Sequence, residues 1–472
     1  MRLVPLLAIL YLTTFSKNYA QQVWNLEQCI NTAWTNSLQA KQATVNRQQA
    51  QLNVKQAKWS QWPSLNGSIR HGFNFGRSID LTSYQFVNSV NQSTNLSLSI
   101  SAPLYQGLGI RNTIKQSQLD LEANAKDIQQ LKNELALNVT QAYLSILLAE
   151  ENLKVVKEQT KVTQAQYEQA LKLIQAGSIP ENDKYDLEAQ LAIDEENRVR
   201  AENTVILAYL TLKTTLNVDP SQEMQVEHTE ITLPESTEIL SLEYIFSEAK
   251  LSQANLLASK LREESAKYGV RIAKGVLVPN ISAYSTLATN YSSVARRVSA
   301  TDTVQQALTG DLAGTPFTFN IDQAVPSYSA NPFFNQLRQN FSQSIGINVQ
   351  IPIFNNMQTR IAIERAELAV EIAEINTATL ENQLKSDIQR ALTDVQAAEK
   401  RLRAAEKSLI ATKTSVKNTQ KRYDLGIINA FELTSVQNRL TNLESNLLQA
   451  KYDYVFKLKI LDYYRGIAIE LN

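Results

Sequence analysis

The sequence predicts a mainly α-helical protein that also carries membrane β-strands. It is arranged as two tandem repeats, each joining a strand pair to a long coiled-coil helical hairpin. Three observations lead there: a long internal duplication, two heptad seams in the same phase, and short period-two segments that end at proline. The duplication is frame-locked. Pro103, Arg111, Leu135, Glu150, Leu153 and Gly177 recur 249 positions later as Pro352, Arg360, Leu384, Glu399, Leu402 and Gly426. Leu26, Glu27, Ala57, Lys58 and Pro63 recur 216 positions later as Leu242, Glu243, Ala273, Lys274 and Pro279. The 33-residue difference between the offsets places one insertion in the second copy, between Pro279 and Pro352. A repeat far longer than a solenoid unit marks a duplicated half-molecule rather than a stacked array.

From the N-terminus, Arg2, the mostly apolar run Leu3–Thr14 and Ala20 read as a secretory signal peptide over residues 1–20. The run is too short for a membrane helix, which needs about 20 apolar residues. No later segment reaches that length, so any membrane crossing must use strands. Residues 21–216 form the first repeat, with a leading helix, a strand pair over about 64–105 and a helical hairpin over about 108–216. A linker at 217–239, rich in Glu, Thr and Pro, joins the halves around the outside of the helical layer. Residues 240–472 form the second repeat, with strands over about 280–354 and a helical hairpin over about 357–465.

The helices follow from the seams. Leu135, Val139, Ala142, Ile146, Ala149, Leu153 and Val156 step alternately by four and three, and Leu384, Ile388, Ala391, Val395, Ala398, Leu402 and Ala405 repeat the same steps. That is the heptad pattern of packed helices. No proline interrupts Leu108 to Gln175; at 1.5 Å per residue such a helix runs on the order of 100 Å. The turns Ala176–Pro180 and Leu425–Asn429 each place a glycine at the helix end, where left-handed backbone is needed.

The strands follow from period two. Leu98, Ile100 and Ala102 alternate with serines before Pro103, and Ile345, Ile347, Val349 and Ile351 alternate with small polar residues before Pro352. Weaker alternation follows Pro63 and Pro279. Apolar on one face and polar on the other suits a membrane barrel with a wet interior. The polar stretches Arg77–Asn91 and Ser292–Phe341 are expected to be external loops, the second containing the insertion. Trp59, Trp62, Tyr105 and Phe354 sit where an interfacial aromatic girdle is expected. Four strands cannot close a barrel whose edges must all be paired in lipid, so several copies must share one. Eight, twelve and sixteen strands remain open on these grounds.

The order of leading helix, strand pair, long helical hairpin, linker and the same set again resembles the TolC-like outer membrane efflux protein family. The most specific marks are Ala102-Pro103-Leu104-Tyr105 and Ile351-Pro352-Ile353-Phe354, each leading into Arg111 or Arg360, and the paired glycine tips. The resemblance implies a homotrimer with one shared 12-stranded β-barrel in the outer membrane of a Gram-negative bacterium and an α-helical barrel in the periplasm. It implies a passive exit duct of a tripartite efflux or type I secretion system, opened at its periplasmic end by partners. Those partners would be a periplasmic adaptor and an inner-membrane pump of RND or ABC type, with outer membrane lipids around the barrel. It also suggests Asp183 and Glu432, six residues past each tip glycine, as a periplasmic gate. In a threefold assembly each would form a ring of like charge. The plainer reading makes them acids near helix N-termini.

Leu173, Gly177, Ile179, Pro180, Leu425, Gly426 and Ile427 form the candidate tip surface for an adaptor. Pro103, Arg111, Pro352 and Arg360 mark the strand-to-helix junctions, with a structural role expected of the arginines. Tyr167, Tyr185 and Tyr423 near the tips are expected in packing.

Other classes are poorly served. Acidic and basic residues balance at 46 each, which gives no electrostatic case for nucleic acid. Only His71 and His228 are present, and no glycine-rich phosphate loop appears, so neither an enzyme nor a cofactor or metal site is expected. The lone Cys29 rules out an intramolecular disulfide and reads as an ordinary helix residue. A periplasmic coiled-coil adaptor needs one hairpin and extra β domains, and a structural filament leaves the alternating segments without purpose. They are the alternative readings.

Overall fold

The computed structural model describes residues 23–79, 86–228 and 241–469. The expected signal segment 1–20, the first strand connection at 80–85 and the linker residues 229–239 lie outside the described residues. In chain order the elements are β1 (Val23–Trp24), α1 (Leu26–Asn36), α2 (Leu38–Trp59), β2 (Ser64–Ile79), β3 (Phe86–Gln106), α3 (Gly109–Gln175), α4 (Asn182–Leu216) and β4 (Gln225–Val226). They continue with α5 (Leu242–Ser252), α6 (Ala254–Gly275), β5 (Asn280–Ser292), β6 (Arg296–Leu312), β7 (Thr315–Ala330), α7 (Phe333–Gln339), β8 (Ser342–Gln350), α8 (Gln358–Asp424) and α9 (Ala430–Tyr464). Both halves use helices of 11, 22, 67 and 35 residues in the same order.

Two compact units cut across the duplication, each built from both halves. One holds the residues up to Ala50, Leu119–Glu263 and the chain from Ile372; the other holds Gln51–Gln118 and Glu264–Glu371.

The first unit is helical and has two equivalent cores. In one, Val139, Ala142, Tyr143, Ile146 and Leu147 of α3 pack with Cys29 and Ala33 of α1, Leu212 and Leu216 of α4, and Tyr452 and Val455 of α9. In the other, Ile388, Ala391, Val395, Ala398 and Leu402 of α8 pack with Ile245 and Ala249 of α5 and with Tyr454 and Leu461 of α9. These are the heptad positions of the sequence. Cys29 and Ile245 hold the same slot in the two copies, and both are fully buried. Burial pushes the Cys29 thiol up to about 12, so it serves as a small apolar side chain. Full burial of one aliphatic side chain stabilises by roughly 1.5–3 kcal/mol, against about 0–1 kcal/mol for an exposed ion pair such as Lys413–Glu444 at 3.2 Å. The seams therefore dominate.

A contact absent from the sequence reading closes the first core. β1 and β4 form a two-residue parallel ladder, and the Tyr143 hydroxyl donates to the Glu227 carbonyl at 2.7 Å and lies 3.2 Å from the Trp24 carbonyl. Two-residue strands carry no period to read.

The second unit centres on an antiparallel sheet ordered β2-β3-β5-β8. Its register aligns Leu65, Ile100, Ser285 and Ile345 in one row and Asn66, Ser99, Thr286 and Ser344 in the next. Successive side chains point to opposite faces, so one face carries Leu65, Ile69, Phe73, Leu98, Ile100, Ile345 and Ile347, and the other a bed of Ser, Thr and Asn. β2 and β8 each have one ladder partner, leaving two open edges.

Two expected loops are instead largely strand. Most of Arg77–Asn91 belongs to β2 and β3, and Ser292–Phe341 folds into the hairpin β6–β7 and the short α7. Polar residues interleaved among the apolar ones hid these strands. In β7 Phe317, Phe319 and Ile321 alternate, but in β6 Val304 and Leu308 are separated by Gln305–Ala307, and backbone pairing completes the hairpin where the pattern lapses. Conversely, Ile351–Phe354 lie beyond β8, which ends at Gln350, because Pro352 has no N–H to donate. Pro103 stays inside β3 by sitting at a bulge against β5, past the last β2 register pair Ser64–Ser101.

Each strand-to-helix corner uses two consecutive left-handed residues, Gly107 (φ 58°) with Leu108 (φ 62°) and, 249 positions on, Asn356 (φ 53°) with Met357 (φ 63°). Gly107 has a second reason to be glycine, since a Cβ there would lie 2.2 Å from the Gly275 carbonyl oxygen.

Ile146→Ala is expected to destabilise the helical unit by about 2–5 kcal/mol, and Lys413→Ala by less than about 1 kcal/mol. Thermal melts followed by circular dichroism check this, and equal effects would contradict a fold held by its seams.

Candidate functional site: hairpin tips and open sheet edges

The two tips are built alike. Ser178 N–H donates to the Leu173 carbonyl at 2.8 Å and Gly177 N–H to Ile174 at 2.9 Å; Ile427 N–H donates to Arg422 at 2.9 Å and Gly426 N–H to Tyr423 at 2.8 Å. This paired closure of the last helical turn requires left-handed backbone at the next residue, and Gly177 and Gly426 supply it at φ 73° and 72°. Below the tips a small core joins the hairpins: Ala170, Leu187 and Ala430 are buried, with Tyr167, Ile179 and Tyr423 packed against them. Tyr185 is instead exposed, with the Lys184 ammonium 5.5 Å from its ring centre.

The two acids at matched positions differ. Asp183, in the first turn of α4, is buried. Its carboxylate accepts the backbone N–H of Ala430, the first residue of α9, so one hairpin caps the helix of the other. Burial raises the Asp183 pKa above the ordinary carboxylate value, only partly offset by that hydrogen bond. Burial and the nearby Asp183 charge in turn raise Tyr423. Glu432 is exposed, and its N–H donates to the Asn429 side chain at 3.0 Å. The structure thus brings Asp183 to Ala430 and Tyr423, and leaves Glu432 at the surface.

Among the candidate contact residues, Leu173 and Ile179 are half-buried, Pro180 is exposed, and Leu425 and Ile427 are largely exposed. Phe431 lies exposed beside them. It was missed because it stands outside the matched tip turns. Also missed was a polar layer farther along the hairpins. Thr163 and Gln190 donate to the buried Asp194 at 2.6 and 2.7 Å. Gln190 and Asn438 exchange amide hydrogen bonds at 3.1 and 2.9 Å, and Thr441 donates to Gln159 at 3.0 Å. Such a layer carries no apolar period, and only three-dimensional proximity reveals it.

At the junctions Arg111 is exposed, and Arg360 lies 3.7 Å from Glu364 one turn on. Trp59 and Trp62 pack at 5.9 Å between ring centres yet stay mostly exposed, as do Tyr105 and Phe354. Among the described residues no helix is long and apolar enough to cross a membrane, and no cluster of three or more His, Cys, Asp or Glu is placed to hold a metal ion.

A twofold-repeated chain with an amphipathic open sheet and glycine-tipped coiled-coil hairpins is the protomer of an outer membrane channel. The family model for outer membrane efflux proteins matches residues 29–218 and 245–462, and the chain belongs to that family. It is 22% identical to the outer membrane protein TolC of Vibrio cholerae over 468 residues, covering 97% of this chain and 93% of that one. Its fold is similar to the channel-forming protein CusC, with a TM-score of 0.74 at 16% identity over 94% and 92% of the two chains. It also matches VceC of Vibrio cholerae, with a TM-score of 0.72 at 16% identity over 94% and 97%. A third match is the CmeC channel of Campylobacter jejuni, with a TM-score of 0.71 at 17% identity over 93% and 85%. The protein is thus an outer membrane efflux channel protein of TolC-like fold, from a family of trimeric channels with a helical barrel.

The direction of the Asp183 shift sets a pH dependence for the tip contact. A carboxyl whose pKa is raised in the contact favours it when protonated, so the contact tightens on acidification and loosens as pH rises past the ordinary aspartate value of about 3.9 and through the raised one. Hydrogen exchange of the tip amides, expressed relative to the intrinsic amide rate at each pH, should accelerate over that rise in the native protein. In Asp183→Asn, which keeps the acceptor and loses the titration, it should stay slow and pH-independent. In Asp183→Ala it should be about tenfold faster at acidic pH. An unchanged pH profile in Asp183→Asn would remove Asp183 from the contact.

Proposed function

We propose that the chain is the passive exit duct of a tripartite efflux or type I secretion assembly. Three copies close one barrel in the outer membrane, and the helical hairpins extend into the periplasm. The observation that carries this reading is the pair of open edges on β2 and β8 of a sheet with one apolar and one Ser/Thr/Asn face. Lipid supplies no hydrogen bonds, so these edges must pair with other copies. The apolar face then meets lipid and the polar face lines a wet duct. The exposed aromatics Trp59, Trp62, Tyr105 and Phe354 suit the headgroup boundary.

The chain supplies no energy source in this reading. A periplasmic adaptor docks at the tips, where Leu425, Ile427 and the exposed Phe431 offer apolar anchors beside Leu173, Ile179 and Pro180, and an inner-membrane pump of RND or ABC type selects the cargo. Docking favours a splayed state of the tips. Asp183 and Glu432 contribute to the gate differently. Asp183 holds the first hairpin to the N-terminus of α9, while Glu432 presents an exposed charge that three copies repeat as a ring.

Electron microscopy and mass measurement of the detergent-extracted protein should give a threefold particle with a hollow stem; a soluble monomer or an unbranched filament would remove the duct reading. In planar bilayers, Asp183→Ala combined with Glu432→Ala is expected to raise single-channel conductance and weaken block by divalent cations, and unchanged values of both would exclude the gate. Leu425→Asp with Ile427→Asp should abolish efflux at normal protein level, whereas normal efflux would place the adaptor elsewhere.

A further inference from the structure

The insertion that distinguishes the second repeat is a β-hairpin with one apolar face. Cross-strand partners lie on the same side of a sheet, and the register pairs Leu308 with Phe319, Gln306 with Ile321, Val304 with Gln323, Asp302 with Val325 and Gly310 with Phe317. One face therefore gathers Val304, Leu308, Phe317, Phe319, Ile321 and Val325, while the other pairs Thr309 with Thr318, Ala307 with Asn320 and Gln305 with Asp322. The six apolar residues are 37% to 51% exposed, so none of the described residues covers them fully. An isolated two-stranded hairpin is marginal in water.

The root of the hairpin is fixed. The Gln336 side chain, almost fully buried, accepts from Ser292 N–H at 2.9 Å and donates to the Ser292 and Asn331 carbonyls at 2.9 and 2.7 Å. The Thr289 hydroxyl donates to the Leu337 carbonyl at 2.7 Å.

We infer that the apolar face of β6–β7 is covered by the β6–β7 hairpins of the other two copies, forming a collar at the end of the barrel opposite its helices. The hairpin is inserted between β5 and β8, and β8 carries an open edge that closes the barrel against the next copy, so each hairpin rises at a subunit seam. The composition of the face suits the same occupant. Among the cross-strand pairs that build it, Asp302 is the one charged side chain, so the cover it calls for is apolar. A second copy offers the same six apolar residues. The inference rests on the trimeric reading.

Single cysteines test it in the full-length trimer, against a native Cys29 too buried to react. Phe319→Cys should be alkylated by a water-soluble maleimide at least about tenfold more slowly than Thr318→Cys on the opposite face. It should also form disulfide-linked dimers under mild oxidation where Thr318→Cys does not. Equal alkylation rates would overturn the inference. So would a protected Phe319→Cys that forms no dimer and whose attached fluorophore is quenched by nitroxide lipids, since the bilayer would then be the cover. Native mass spectrometry of the same samples separates the two levels: equal alkylation in an intact trimer removes only the collar, and absence of the trimer removes the duct as well.

Discussion

An unpaired strand edge cannot face hydrocarbon, and this constraint organises the molecule. Each backbone N–H or C=O left bare in lipid costs several kcal/mol. The free edges of β2 and β8, 16 and 9 residues long, would together cost on the order of tens of kcal/mol if left unpaired. No amount of helix packing within one chain offsets such a penalty. A barrel shared between copies is therefore the condition under which this sheet can exist in a membrane. The corners at Gly107–Leu108 and Asn356–Met357 accept left-handed backbone immediately before the long helix at the same place in each half.

Duplication supplies twice the strands and hairpins from one length of chain, and the halves have since diverged where their tasks differ. Cys29 and Ile245 fill one slot with different side chains and equal burial, a change that packing tolerates. Gly107 and Asn356 also share a slot, both suited to left-handed backbone. Asp183 and Glu432 share a position with opposite environments, one buried and one exposed. A threefold assembly of such a chain has six hairpins of two alternating kinds, so its helical end is chemically unequal from one hairpin to the next.

Much of this was legible in the sequence because two periods were clean. The heptad positions from Val139 to Ala149 and from Ile388 to Leu402 are buried as the steps of four and three require. The alternation around Ile100 and Ile347 gave the sheet its apolar face. What stayed hidden lacks a period or takes it from elsewhere. β1 and β4 are two residues each. The strands beyond the clean alternation, Ile79 and Phe86 onward and the whole of β6–β7, read as loops because Gly, Asp, Gln and Asn interrupt their apolar pattern while the backbone still pairs. The tie from Asp183 to Ala430 joins residues almost 250 positions apart, and only folding brings them together.

The distribution of packing along the hairpins determines where they can part. The two large apolar cores bury many seam residues and resist separation, whereas the tip core has three buried residues, Ala170, Leu187 and Ala430, and one carboxylate cap. Between them the layer of Asp194, Thr163, Gln190 and Asn438 is held by directional hydrogen bonds rather than by area. Apolar seams tolerate sliding by small amounts, but a reciprocal amide pair and a buried carboxylate do not, since leaving either unpaired in low dielectric costs about 1–3 kcal/mol or more. The layer thus fixes the register of the hairpins at the boundary between a strongly held stem and a weakly held tip. Its loss would cost more per residue than a small shift along the apolar seams on either side.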